Sequence, residues 1–223
     1  MRCVVTAGPT YEPIDRVRRL TNLSTGRLGC RLAAHLTAAG HEVILLLGEQ
    51  ATWTGGRQAA RLEMFSTTTD LAARLEGLAG EQVDAVFHAA AVSDFAVGQI
   101  WERSATGRVL SAQGGKLSTR GSTYLLQLIP TPKLISVFRD WYPRARLVGW
   151  KYEVDGRQAG VLDLARRQIR ECRTDACVAN GPAYGPGFGL VTLPDRHQPL
   201  ADEAALLAAL EQWLHAPRIP LSS

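Results

Sequence analysis

Three short stretches of this 223-residue chain gather residue types suited to binding an anion and polarising a carbonyl. The first is Thr6-Ala-Gly-Pro-Thr-Tyr-Glu-Pro-Ile-Asp15. Gly8 lacks the Cβ that would keep an anion off the backbone, so the turn reads as a phosphate-approaching loop, or equally as a long strand-to-helix connection. The second is Leu20-Thr-Asn-Leu-Ser-Thr-Gly-Arg-Leu-Gly29. Ser24 and Thr25 supply hydroxyls, Gly26 and Gly29 permit close approach, and the helix that follows offers unpaired N–H groups carrying partial positive charge. Capping that helix is the plainer role for Ser24 or Thr25. A side-chain amide such as Asn22, placed beside an anion site, can stabilise an oxyanion. The neighbouring Arg16, Arg18 and Arg19 suit an acidic substrate or a charged surface. The third stretch is Ala89-Ala-Ala-Val-Ser-Asp94-Phe95, where small residues let a ligand lie against the backbone. Asp94 there can hold a metal or a polar group, or cap a turn. Further on, Lys116 sits in a polar segment; it is either solvated or, on a closing loop, a point charge for a triphosphate.

These stretches need a scaffold. Apolar runs predict strands over 2–7, 42–47, 62–65, 83–88, 124–129, 146–150 and 176–179. Helical spacing predicts helices over 27–39, from a cap at Thr69 or Asp70 to 78, from Pro132 to 141, over 158–172 and over 204–214. A glycine-rich loop is expected over 181–189. Strand–helix alternation implies an α/β, Rossmann-like three-layer fold with a mostly parallel sheet covered on both faces. Ligands in such sheets bind at the carboxyl ends of strands, near a topological switch point. All three stretches follow predicted strands or enter the first long helix. One nucleotide-binding domain over 1–215 is expected, with a mobile flap and dimerisation segment over 98–122 where the apolar periodicity lapses, and a loose tail over 216–223.

Several chemistries are excluded by pattern. There is no G-x-G-x-x-G, no P-loop, and no H-E-x-x-H around His88, which reads as a strand-end histidine. The four cysteines (3, 30, 172 and 177) show no C-x-x-C spacing. Lys plus Arg number 25 against 21 Asp plus Glu, too even a balance for a nucleic-acid tail. No signal-peptide pattern opens the chain and no 18-residue apolar run occurs, so a cytoplasmic protein without membrane or nucleic-acid partners is expected.

Taken in order, the segments TAGPTYEPID, RRLTNLSTGRLG, AAAVSDF, GGKLST, PTPKLI, LVGWKYEVD and ACVAN resemble the phosphopantothenate–cysteine ligase family, over about residues 3–180. The chain is similar to that family's free-standing form, without a preceding decarboxylase domain. The resemblance implies a reaction in coenzyme A biosynthesis. CTP or ATP activates the carboxylate of 4′-phosphopantothenate as an acyl-nucleotide with loss of pyrophosphate, and the amine of L-cysteine then forms the amide. It further implies Asn22 and Lys116 as catalytic residues. Gly8, Ser24, Gly26, Gly29, Ala90, Asp94, Phe95, Trp150, Lys151 and Asn180 would contact nucleotide. Arg18, Asn22, Ala90, Ala91 and Asp94 would contact substrate, Arg18 from a neighbouring subunit of a homodimer. Mg²⁺ is implied with the triphosphate, its protein ligands unassigned. Three departures stand out: Gly8-Pro9 for a Gly-Gly pair, Trp150 for the usual Phe, and V-A-N-G in place of V-A-N-D. They bear on the choice between CTP, which most bacterial members use, and ATP. The alternative reading is a catalytically inactive nucleotide- or flavin-binding relative on the same fold.

Overall fold

A computed structural model describes residues 1–217 apart from 105, 113, 119–122, 193 and 194; the end of the expected flap and most of the expected tail lie outside these described residues. In chain order the elements are β1 (Arg2–Ala7), β2 (Tyr11–Pro13), β3 (Arg19–Thr21), α1 (Arg27–Ala38), β4 (Glu42–Gly48), β5 (Arg61–Phe65), α2 (Thr68–Leu78), β6 (Ala85–His88) and β7 (Phe95–Arg103). There follow β8 (Val109–Ser111), β9 (Thr123–Pro130), a 3-10 turn over Leu134–Ser136, α3 (Phe138–Trp141), β10 (Arg146–Tyr152), α4 (Gln158–Cys172), β11 (Ala176–Asn180), β12 (Phe188–Thr192), β13 (Arg196–Leu200) and α5 (Glu203–His215).

Among the described residues, eight strands form one sheet in the order β13-β12-β11-β10-β6-β1-β4-β5. From β11 to β5 every neighbouring pair is parallel, while β12 and β13 run antiparallel at one edge. Adjacent residues Val4 and Val5 are both fully buried because the two faces of the sheet are both covered. Val5, Leu45 and Phe87 pack with α1 and α5 on one face. Val4, Leu46 and Val86 pack with α2, α3 and the end of α4 on the other. The chain leaves β1 toward β4 through α1 and reaches β6, on the opposite side of β1, through α2. The order therefore reverses between β1 and β6, and a crevice is expected outside their carboxyl ends.

The packing of α1 on β1 is unusually close. A Cβ at Gly29 would lie 2.5 Å from the Ala7 Cβ and 3.1 Å from the Thr6 carbonyl oxygen. Gly29→Val is therefore expected to lower stability by at least ~1–3 kcal/mol, seen as a lower denaturant midpoint; an unchanged midpoint would show that α1 can slide off β1 at no cost.

The structure departs from the sequence-based elements in specific places. The stretch between β1 and α1 holds an antiparallel hairpin, with Tyr11 opposite Thr21. Within residues 98–122, expected as a flap, lie most of β7 and all of β8, which join β9 in a separate three-stranded antiparallel sheet. Phe95, Leu126, Leu128 and Ile129 are exposed on this sheet, so it has no buried stripe to betray it in the sequence. The expected helix from Pro132 to 141 is a 3-10 turn followed by a single helical turn. Thr67, not Thr69 or Asp70, caps α2, its hydroxyl accepting from the Asp70 N–H at 3.1 Å. The glycine-rich loop ends early, at β12.

Candidate active site

The loops after β1 and β6 run side by side. Ala91 N–H donates to the Gly8 carbonyl at 3.0 Å, and Thr10 N–H donates to the Ala91 carbonyl at 3.1 Å. Pro9 sits between these bonds and makes neither, so its missing N–H costs the pairing nothing. Thr10 Oγ1 accepts from Ser93 N–H at 2.8 Å and lies 3.1 Å from Ser93 Oγ, both groups buried. Ala90 N–H donates to Thr6 Oγ1 at 3.1 Å. Thr6 Oγ1 is also 2.9 Å from His88 Nδ1.

Gly8 and Gly26 both have φ of +78°, a backbone region that glycine occupies readily. They face each other across Ala51: a Cβ at Gly8 would lie 2.8 Å from the Ala51 Cβ, and one at Gly26 would lie 3.0 Å from that atom and 3.3 Å from the Gly8 nitrogen. Gly26 is the N-cap of α1, and no side chain caps that position. Thr25 Oγ1 accepts from Arg27 N–H, at 3.2 Å. Ser24, half-buried, does not take the capping role open to it. The first turn of α1, with its positive dipole end, thus lies beside the Gly8 loop in a backbone cradle whose chemistry suits an anion. Gly29's lack of a side chain serves the packing on Ala7, and its backbone N–H in the first turn of α1 is the group left to meet an anion.

Asn22 follows β3 and reaches over the second loop, its Nδ2 donating to the Ala91 carbonyl at 3.3 Å and the Val92 carbonyl at 3.1 Å. The hairpin therefore carries Asn22 to the Ala91–Val92 backbone. Arg18, expected to reach substrate from a neighbouring subunit, makes contacts within its own chain. Its guanidinium pairs with Asp15 at 3.2 Å and donates to the Leu117 carbonyl at 3.0 Å, so it is engaged within its own chain. Asp15 also accepts from Leu117 N–H at 3.1 Å and from Val17 and Arg18 N–H. The Leu117 N–H, the other two amides and the Arg18 charge together hold the Asp15 carboxyl below its ordinary value of 3.8. Gly115 O accepts from Arg16 N–H at 3.0 Å. Exposed Lys116 is thus held on either side by the turn that precedes β3.

Trp150 packs on the α1–α5 face. Its Nε1 and the Oδ1 of Asn180 are buried with no hydrogen-bond partner among the described residues. Trp150 pairs with Val178, and Asn180 lies two residues further along β11 on the same face. A donor and an acceptor are thereby left open at the carboxyl end of the sheet. Lys151, grouped with Trp150 by sequence, projects from the opposite face by strand alternation and pairs with Glu153 at 3.3 Å. Phe95 begins β7 and is exposed. A Cβ at Gly181 would lie 2.4 Å from the Glu153 carbonyl oxygen, and φ there is +109°, so this backbone excludes the acid common in the resembling family.

Sequence reading missed Trp53, whose N–H donates to the Thr25 carbonyl and whose Nε1 is buried without a partner among the described residues. Its position after β4, at the same end of the sheet, was the available signal. The Thr10–Ser93 pairing was also missed, since no local spacing links residues so far apart.

His88 bears out its reading as a strand-end residue. Burial drives its pKa from 6.5 to about 4. The folded state thus holds a neutral imidazole that the unfolded chain would protonate. Stability is present in full above pH 6.5 and falls as pH drops toward about 4, a loss on the order of 3 kcal/mol. His88→Gln is expected to flatten that slope in denaturation curves at pH 4.5 to 7; an unchanged slope would assign it to other groups.

Comparison with known proteins identifies the lineage. Residues 1–193 match the family model for the DNA/pantothenate metabolism flavoprotein C-terminal domain. The chain is 33% identical over 197 residues to the coenzyme A biosynthesis bifunctional protein CoaBC of Thermococcus kodakarensis, covering 87% of this chain and 45% of the relative. It is 29% identical over 192 residues to the CoaBC protein of Bacillus subtilis, with 85% and 42% covered. The chain thus spans about half the length of the curated relatives it matches. Its fold is that of the crystal structure of the DNA/pantothenate metabolism flavoprotein from Streptococcus pneumoniae (TM-score 0.82, 24% identity, 96% of this chain and 98% of that chain). It is also that of a Cab2 H337A mutant in complex with phosphopantothenate-cysteine (TM-score 0.70, 17% identity, 96% and 87% covered). The chain belongs to the DNA/pantothenate metabolism flavoprotein C-terminal domain family.

Proposed function

We propose that this chain is a nucleotide-dependent ligase that joins 4′-phosphopantothenate to L-cysteine in coenzyme A biosynthesis. The observation that carries the reading is the placement of the Asn22 amide over the Ala91–Val92 backbone, beside the cradle made by Gly8, Gly26 and the first turn of α1. That arrangement puts a side-chain donor next to an anion site, as an activated carboxylate requires. The CoaBC relatives are named for coenzyme A biosynthesis, and the Cab2 structure of the same fold holds phosphopantothenate-cysteine, both in keeping with this reading.

In this scheme the cradle, with Ser24 at its rim and the Gly29 N–H in the first turn of α1, holds the phosphates of the nucleotide. The pantothenate carboxylate, laid along Ala90, Ala91 and Asp94, attacks the α-phosphorus; a P–O bond forms and pyrophosphate leaves. The amine of cysteine then attacks the acyl carbon, expelling the nucleoside monophosphate and releasing a proton. Asn22, exchanging its longer contact with the Ala91 carbonyl, donates to the acyl oxygen as charge develops on it. Lys116 offsets charge on the departing pyrophosphate. Trp150 and Asn180 suit a base carrying both an exocyclic amine and a ring acceptor, since Asn180 Oδ1 is open to accept and Trp150 Nε1–H to donate. Cytosine and adenine both meet that description, and CTP is the proposed co-substrate. Phe95, at the start of β7, and Lys151 flank this end of the sheet. Arg18 would need to exchange its Leu117 contact to meet a substrate phosphate across a homodimer.

Among the described residues no group of three His, Cys, Asp or Glu gathers at this end of the sheet. That donor set suits Mg²⁺ carried mainly by phosphate oxygens and water, with Asp94 as the candidate protein ligand. Bound there, the ion would screen the charge of the triphosphate. No helix among the described residues is long and apolar enough to cross a membrane.

The test is pyrophosphate release with Mg²⁺ and 4′-phosphopantothenate, comparing CTP with ATP, with and without cysteine. Release dependent on phosphopantothenate, with amide formed only when cysteine is present, is expected. No release from folded protein with either nucleotide would overturn the reading in favour of an inactive relative.

A further inference from the structure

At the opposite end of the sheet, two helix ends and one strand start converge. His41 lies between the end of α1 and the first residue of β4, its N–H donating to the Leu36 carbonyl at 3.0 Å. Glu211 and His215 stand one turn apart in the last part of α5, with Glu211 Oε1 and His215 Nε2 3.3 Å apart. The His41 and His215 rings stack, with centroids 5.6 Å apart. One donor atom from each of the three side chains lies within 4.8 Å of the others.

His41 is the unusual member. Its side chain is 8% exposed, and both ring nitrogens are buried without a hydrogen-bond partner among the described residues. A buried imidazole nearly always gives its nitrogens a partner, because stripping them of water without one is unfavourable. Here the neighbours are a carboxylate and a second imidazole, a donor set that tetrahedral zinc takes up. Bonds of 2.0–2.1 Å from such an ion require donor atoms about 3.4 Å apart, a closure available to exposed His215 by side-chain rotation. The carboxyl ends of α1 and α5 both present partial negative charge toward this point, which favours a cation.

We propose that His41, Glu211 and His215 form a site for a divalent transition-metal ion of the zinc class, with water completing its coordination. The ion would staple α5 to the α1–β4 junction. Helix α1 connects this site to the anion cradle, since its first turn lies at the cradle and its last turn beside His41. The two sites take different chemistry: imidazole nitrogens favour zinc, cobalt or nickel over magnesium, which prefers oxygen ligands and keeps its water.

The experiment is titration of ZnCl₂ into the metal-stripped full chain, followed by calorimetry, alongside His215→Ala and Glu211→Gln. Both replaced side chains lie on the outer part of α5, and circular dichroism verifies that the variants fold. One ion per chain is expected in the wild type, weakened roughly tenfold or more in each variant. Zinc should raise the melting temperature of the wild type but not of His215→Ala. MgCl₂ should neither bind there nor displace zinc. Equal zinc binding in all three proteins would place the ion elsewhere, for example on a cysteine, and overturn the proposal. So would no binding in the wild type, or magnesium competing on equal terms.

Discussion

Replacing Asn22 with aspartate is expected to slow amide formation by about 10²–10³-fold while leaving nucleotide affinity nearly unchanged. The Asn22 amide donates to two carbonyl oxygens, of Ala91 and Val92. An aspartate has no hydrogen to donate and would bring negative charge against both oxygens, so the side chain should turn toward solvent. The cradle at Gly8 and Gly26 is built from backbone and does not depend on this side chain, which is why nucleotide binding should survive. In the proposed scheme the acyl-nucleotide still forms, so pyrophosphate appears as a burst of about one equivalent per site, and cysteine then draws the intermediate down slowly. Asn22 is exposed, so folding stability should fall by no more than ~1 kcal/mol. Wild-type turnover in the folded variant would remove Asn22 from the chemistry. An equal loss of burst and amide formation would mean that the residue only aligns the loop.

The parallel part of the sheet was legible because burial on both faces leaves continuous apolar runs: Cys3 to Ala7, Val43 to Leu47 and Ala176 to Ala179 are all fully or almost fully buried. The antiparallel β7–β9 sheet was only partly legible, through β9. Its strands are half-exposed, and Gly98, Gln99 and the polar residues beyond them read as loop. At the site, the glycines announced themselves but not their purpose. Gly8 and Gly26 hold positive φ and face each other, whereas Gly29 is small because Ala7 is in the way. Nothing in one sequence separates a glycine that admits a ligand from one that admits a strand. Arg18 shows the reverse case. An acid three residues earlier was a visible cue for a local ion pair, and the structure places Asp15 and Arg18 together. The open polar atoms of Trp53, Trp150 and Asn180 depend on which groups fail to meet, which spacing along a chain does not encode.

Lys116→Gln is expected to lower turnover by about 10²-fold, with pyrophosphate release slowed and the KM for phosphopantothenate little changed. The geometry separates this side chain from the loop that bears it. Both backbone groups of Leu117 are held, the N–H by Asp15 and the carbonyl by Arg18, and Gly115 is held by Arg16. Removing the Lys116 charge touches none of these bonds, so the loop should keep its place and the loss should appear in the step that builds charge on the leaving group. Asp15→Asn acts on the other half of the arrangement. It keeps one oxygen to accept from the backbone but gives up the ion pair with Arg18, so the segment bearing Lys116 should be held less firmly and KM and turnover should change together. Lys116→Arg restores charge with a wider, planar head, and should recover only part of the rate if the pyrophosphate meets a compact ammonium. Because Asp15 is held below its ordinary value, the latch stays charged throughout neutral pH and weakens only as pH falls through that lowered value. The turnover ratio of Lys116→Gln to wild type should therefore stay constant from pH 6 to 8. A ratio that tracked pH in that range would implicate a different titrating group and remove Lys116 from the leaving-group step.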